Sequence, residues 1–413
     1  MPVFPGLIPT DIYLPATVVD NTKWAVVACD QFTSEPEYWQ KVENLVGDAP
    51  STLRLILPEN KLNEAGERTP MIHNTMRRYL KSGTLVNRVQ NGFVLTERTT
   101  GSGVRLGLIA AVDLDAYDYS PSAKLPIRAT EGTIVERIPA RVRIREGALI
   151  ESPHVMILID DSEKTVIEKV YELVKNDAPL YDFDLMMDGG HLRGWSVTGS
   201  ERLMPIAASL QALNAKANGF MYAVGDGNHS LATAKACWER LKAKLSEAER
   251  ETHPARYALA EITNLHSDAL VFEPIHRLMF NTDINELTER FRAYLGQRGM
   301  SAVPGDDIRF VNGQEEYSMS IAGANDVLPV AILQPFLDEY LKSCKEAEID
   351  YIHGEEAVRK LAAGTGDTGI LLTAIDKKSL FPSIRQEGVL PRKTFSMGEA
   401  WEKRYYMECR RIL

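Results

Sequence analysis

Cysteine is scarce in this chain. Cys29, Cys237, Cys344 and Cys409 lie far apart, and no two form a CxxC pair. A disulfide framework or a zinc knuckle needs paired spacing, so the reading is a reduced, cytoplasmic protein. Long apolar runs are missing as well, and none approaches the roughly 18 residues of a membrane helix. Met1 to Thr10 has neither the basic start nor the apolar core of a signal peptide. No Lys/Arg-rich run occurs and the net charge is -10, which argues against a nucleic-acid partner. A phosphate ligand stays compatible, because a local basic pocket does not need a basic protein. There are no internal repeats. The aromatic content of 8% forms no sticky stripe, which leaves a homo-oligomer open.

What is present is an ordinary globular composition, 44% hydrophobic and 25% charged, ample for two or three structural units. The most informative stretch runs from Phe220 to Ala234. An apolar, strand-like run stops at Gly225-Asp226-Gly227-Asn228-His229-Ser230, and a helix-forming run to Leu245 follows at once. A strand that enters a helix through two glycines presents unpaired backbone N–H groups, and the helix dipole favours an anion there, phosphate above all. A plain cap needs one polar side chain, and this turn carries four.

A second turn of the same kind is expected at Asp30 to Ser34. Lys23 to Ala28 reads as a buried strand, and Ser34-Glu35-Pro36-Glu37 reads as a helix start with Ser34 as N-cap and Pro36 just inside. Two such turns at the ends of one sheet can face each other, where α/β ligands usually bind. Asp30, Thr33 and Ser34 are the candidates there. A third group is the polar stretch Pro121 to Pro153. Arg128, Arg141 and Arg145 can fork onto phosphate or carboxylate, with Thr130 beside them. Glu131 and Glu151 can act as a general base or as Mg²⁺ ligands. The plainer alternative is a solvated charged β-ribbon.

His154, His191, His229 and His266 each sit at a strand end or turn, and if they converge they can hold a metal. Near the C-terminus, Arg392 and Lys393 in Pro391 to Ser396 can fold back as a phosphate clamp. The alternative is a surface loop before a final helix. Strand and helix patterns elsewhere predict a mixed α/β protein, with a main domain over 1–300 and a smaller C-terminal α/β unit over 301–413.

Several of these segments carry a resemblance. Ala28 to Ser34, Arg128 to Gly132, Glu151 to His154, Gly225 to Ser230 and Leu390 to Thr394 together resemble the group catalogued as domain of unknown function 1015, nearly end to end. Many members carry Asp-Gly-His-His-Arg in the key turn, where this chain has Asp226-Gly227-Asn228-His229-Ser230. That turn is in turn similar to the phosphate-binding turn of the ParB/sulfiredoxin-like fold, which includes a nucleotide-dependent kinase of free serine. The resemblance implies a large N-terminal unit whose mixed sheet carries this turn. It also implies phosphoryl transfer on a small hydroxylated metabolite or its phosphate ester, using ATP or ADP and Mg²⁺. Backbone amides at Gly225, Gly227 and Asn228, with Ser230, would hold phosphate. Asp226 would bind Mg²⁺ or take the hydroxyl proton, and His229 would stabilise the developing charge. Asp30 and Glu131 complete the expected catalytic set. Ser230 stands where relatives have an arginine, so Arg128, Arg141 or Arg392 would have to supply the missing charge. A non-catalytic nucleotide or metabolite sensor and a metal-dependent hydrolase are the alternative readings.

Overall fold

The computed structural model describes residues 2–27, 32, 35–133, 138–324, 327–364, 366–403 and 405–413. The chain divides into two compact units, Met1–Val271 with Gly398–Leu413, and Phe272–Met397. The sequence suggested a boundary near residue 300. That position adjoins a strand, Ser301–Val311, that lies within the second unit.

In the first unit the strands before the central turn are β1 (Leu7–Ile8), β2 (Thr10–Pro15), β3 (Val26–Val27), β4 (Leu85–Thr100), β5 (Gly103–Asp113), β6 (Tyr117–Asp118), β7 (Ile127–Ala129), β8 (Ile150–Glu151), β9 (Met156–Ile159), β10 (Tyr181–Asp184) and β11 (His191–Val197). β12 (Tyr222–Asp226) and β13 (Tyr257–Asn264) follow. The helices are α1 (Asn21–Trp24), α2 (Pro36–Val46), α3 (Ala65–Lys81), α4 (Ile138–Arg145), α5 (Ile167–Val174), α6 (Ser200–Lys216), α7 (Asn228–Lys242) and α8 (Glu247–Thr252).

Among the described residues, eleven strands form one mixed sheet in the order β10-β11-β4-β5-β13-β9-β12-β7-β6, with β1 on β5 and β2 on β4. Its strands alternate, as period-two burial on both faces requires. Phe93, Leu95, Leu108, Ala110, Ala258 and Ala260 face one core, which α5, α6 and α7 cover. Val94, Ile109 and Leu259 face the other, which residues of α2 and α3 and the end of the chain cover. None of the described helices is long and apolar enough to cross a membrane.

The second unit holds β14 (Phe272–Phe280), β15 (Ser301–Val311), β16 (Glu316–Ala322), β17 (Glu348–His353), β18 (Asp367–Leu372) and β19 (Phe395–Met397). They form a sheet in the order β16-β15-β18-β14-β17, with β19 on β14. α9 (Ile284–Gln297), α10 (Pro329–Ser343), α11 (Glu355–Leu361) and α12 (Lys377–Glu387) accompany it. Phe291 of α9 meets Phe336 of α10 with ring centroids 5.1 Å apart.

The chain then returns to the first unit. Instead of the final helix expected from the sequence, residues 405–413 carry two short strands. β20 (Tyr405–Tyr406) pairs with β3, and β21 (Arg410–Arg411) pairs with β8. This also corrects the reading of Lys23 to Ala28 as one strand. Asp20 caps a single helical turn over Asn21–Trp24, and among the described residues of this segment only Val26–Val27 is strand, outside the main sheet.

Candidate functional site

The strand-to-helix turn forms as its residues dictate. β12 lies between β7, parallel, and β9, antiparallel. Its pairing with β9 slips between Val224 and Asp226, so Gly225 is the extra residue of a bulge and Asp226 lands opposite Met156. Gly227 is the N-cap of α7 at φ 81°, a left-handed conformation that glycine adopts without strain. A Cβ there would sit 3.0 Å from Val155 Cα and 3.2 Å from Val155 Cγ2, so the turn rests directly on the His154–Val155 backbone.

One expected amide donor is engaged within the turn itself. The Gly227 N–H donates to Asp226 Oδ1 at 2.8 Å, and Gly225 is the bulge residue of β12. The edge whose geometry favours an anion is the first turn of α7. Its first intrahelical bond runs from Leu231 N to Gly227 O at 3.0 Å, and Gly227 supplies no side-chain acceptor to the amides before it. Asn228, His229 and Ser230 are half-buried in that turn, and Asn228 Oδ1 is buried with no hydrogen-bond partner among the described residues.

The C-terminal segment supplies groups that sequence reasoning missed. Lys403 Nζ lies 3.7 Å from Asp226 Oδ2, on a side chain only 8% exposed. The Tyr406 hydroxyl meets His154 Nδ1 at 2.7 Å. Arg98, fully buried, holds this segment in place. It donates to the carbonyls of Trp401 (2.6 Å), Glu402 (3.1 Å) and Gly189 (2.8 Å), and also to that of Lys403. Glu402 in turn accepts from the Ser102 amide at 3.0 Å and the Ser102 hydroxyl at 2.9 Å. Burial alone would raise its pKa, but these hydrogen bonds hold its carboxyl below the usual range.

Another missed residue is Glu261. It pairs across the sheet with Met156, which pairs with Asp226, so both carboxylates fall on one row two strands apart. Its neighbours on that face are polar and buried: Thr96, Arg98, Arg105 and Thr263. Thr96 Oγ1 reaches Glu261 Oε1 at 3.5 Å and Arg105 Nε lies 3.8 Å from it. Gly107 makes the space, since a Cβ there would fall 2.3 Å from Glu261 Oε1. A lone glutamate in the otherwise uncharged strand Tyr257–Asn264 was the available signal.

Several expected site residues go elsewhere. Arg128 points away from the turn: its guanidinium lies over the Phe220 ring at 4.6 Å and bonds Leu125 O at 2.9 Å, at the opposite end of β12. The pair Arg145 and Glu151 is structural. Glu151, itself buried, accepts from half-buried Arg145 at 2.5 Å, from buried Arg410 at 2.7 Å and from the Leu259 amide at 2.9 Å. Burial alone would raise its pKa, but the two guanidiniums outweigh that and hold the carboxyl below the usual range.

The stretch around these residues is a helix, not a ribbon. Ile138 and Val142 of α4 pack on Ala232 of α7, and Glu146 pairs with Arg240 at 3.5 Å. The start of α4 thus lies by the start of α7, which leaves Arg141, half-buried, as the arginine of this helix nearer the turn. Thr130 follows β7 at the same end as Asp226 and donates to Val224 O at 2.7 Å, with Glu131 next in sequence.

Arg392 and Lys393 are exposed residues of the second unit. Asp30, Thr33 and Ser34 lie outside the described residues. Glu35 takes the N-cap position of α2, with Pro36 in its first turn.

The histidines do not converge. His154 and His266 sit at opposite ends of β9, with His266 Nε2 on Asp160 at 2.7 Å. His191 is bracketed by Asp184 and Asp182 at 2.6 Å each. Among the described residues no three or more His, Cys, Asp or Glu are grouped to hold a metal.

Fold and turn together define a mixed α/β protein whose polar residues gather where β12 passes into α7. The chain belongs to the family described as "Protein of unknown function (DUF1015)", which matches residues 13–350. No curated protein matches it. Among solved structures it is similar to a free serine kinase mutant in complex with AMP, at 13% identity and a TM-score of 0.39, covering 73% of this chain and 90% of that one. A conserved hypothetical protein from Pyrococcus furiosus is similar at 12% identity and a TM-score of 0.36, over 73% of this chain and 94% of the other. C-terminally truncated SbnI from Staphylococcus aureus is similar at 8% identity and a TM-score of 0.37, over 70% and 82%.

Proposed function

We propose that the first unit is a phosphoryl-transfer enzyme that binds phosphate at the β12–α7 turn and acts on a small hydroxylated metabolite, a hydroxy amino acid such as serine being the model substrate. One observation carries this reading. The first turn of α7 opens beside Asp226 with no capping acceptor from Gly227, so an anion-favouring edge and a carboxylate share one turn. The buried Asn228 Oδ1, an acceptor with no donor among the described residues, suits a hydroxyl or ammonium group of the substrate.

The chemistry follows from these groups. The first-turn amides hold the phosphoryl oxygens. Asp226 takes the proton of the substrate hydroxyl as its oxygen attacks phosphorus and the bond to the leaving phosphate of ATP or ADP breaks. His229, in the same turn, stabilises the charge that develops on the equatorial oxygens. Mg²⁺ would be held by Asp226 together with the donor's own phosphates, because no protein cage of three ligands surrounds the turn among the described residues; when bound it neutralises phosphate charge.

The test is direct. The purified protein is incubated with Mg²⁺, serine and ATP or ADP, and phosphorus NMR follows the phosphate. New phosphoserine in the wild type, lost in Asp226→Asn, is the expected result. Nucleotide binding with no turnover of any small hydroxy acid would make the protein a sensor and sink the enzyme reading.

A further inference from the structure

We infer that Lys403, from the returning C-terminal segment, is the cation that neutralises bound phosphate at the turn; the inference rests on the phosphate reading of that turn. Three observations converge on this lysine. Its ammonium lies 3.7 Å from Asp226 Oδ2 on a side chain 8% exposed, which places a largely buried positive charge beside the turn. At that separation the contact is an ion pair and not a hydrogen bond. Its backbone is pre-organised: buried Arg98 holds the carbonyls of Trp401, Glu402 and Lys403, so the lysine is delivered from a fixed point. A charge fixed before the ligand arrives acts on it without a reorganisation cost.

Two of the other basic candidates are held elsewhere. Arg128 is committed to the far end of β12, and Arg145 to Glu151. The helix edge offers dipoles, and Lys403 adds the full positive charge that a phosphate needs.

Calorimetric titration with ADP, and separately with inorganic phosphate, tests this. Lys403→Met keeps the aliphatic stem, Lys403→Gln keeps a polar tip, and Lys403→Arg keeps the charge. The expected result is a loss of about tenfold or more in affinity for both probes in the Met and Gln variants, with most of it recovered in the Arg variant. Melting curves without ligand show that each variant is folded. Unchanged affinity in both the Met and the Gln variant overturns the role of Lys403 while the phosphate reading stands. A wild-type protein that takes up neither ADP nor phosphate overturns both.

Discussion

Gly227 and His191 show how much one residue can decide. A side chain at Gly227 meets two obstacles, a left-handed φ and the Val155 backbone 3.0 Å away. Gly227→Ala is expected to destabilise the first unit by about 1–3 kcal/mol and to abolish phosphate binding, read by thermal melts and by titration. Turn and binding would fail together, because the same backbone shift that admits a methyl group moves the first turn of α7. His191 offers a pH test. The hydrogen bond to Asp184 raises its pKa, partial burial opposes, and Asp182 adds to the rise. A raised folded-state pKa means that this contribution is fully present below the unfolded value of about 6.5 and is lost as pH climbs through the folded one. Melting temperatures should therefore fall on that rise in the wild type and less so in His191→Gln. The difference is small, because both aspartates are solvent-accessible. Two parallel curves would refute it.

At the scale of elements, buried charge stitches the end of the chain to the sheet. Removing Glu151 leaves half-buried Arg145 and buried Arg410 facing each other. Glu151→Gln should cost about 3–5 kcal/mol in denaturant unfolding. The carboxylate's lowered pKa contributes stability above its unfolded value that disappears as pH falls through the folded one, so the variant should also be less acid-sensitive. Arg98 serves four carbonyls at once, and Arg98→Met should be as damaging, since each acceptor would be buried without a donor.

Much of this layer was legible in the sequence, and the reasons are physical. The β12–α7 turn and the start of α2 at Pro36 followed from period, glycine and capping. What escaped notice depended on partners remote in sequence. Nothing local to Lys403 indicates Asp226, and nothing near Arg98 announces carbonyls some 300 residues away. Charge runs misled for the same reason. Arg128 and Arg145 resemble ligand groups until their acceptors, Leu125 O and Glu151, are known.

On the scale of the whole molecule, the second unit is an insertion. The Gly398 N–H donates to Val271 O at 3.0 Å, so the chain leaves and re-enters the first unit at one point. Deleting Phe272–Met397 and joining these ends through a short linker should yield a folded first unit that binds ADP as the full chain does, checked by melting and titration. Stopping the chain at Met397 should have the opposite effect. It removes the Met407 carbonyl that Trp24 Nε1 bonds at 3.0 Å, the Tyr13–Cys409 pairing, Arg410 and Lys403, and it exposes the core beneath them. The sequence cannot disclose this arrangement, because an excursion of this kind leaves no mark on local periodicity.

That closing segment also has a consequence for biosynthesis. Since 398–413 emerge from the ribosome only after every residue of the excursion, the nascent first unit waits with one core uncovered and its turn lacking a lysine. On the phosphate reading, competence to hold ligand arrives late and all at once, and until then the growing polypeptide presents exposed apolar surface to whatever chaperones attend it.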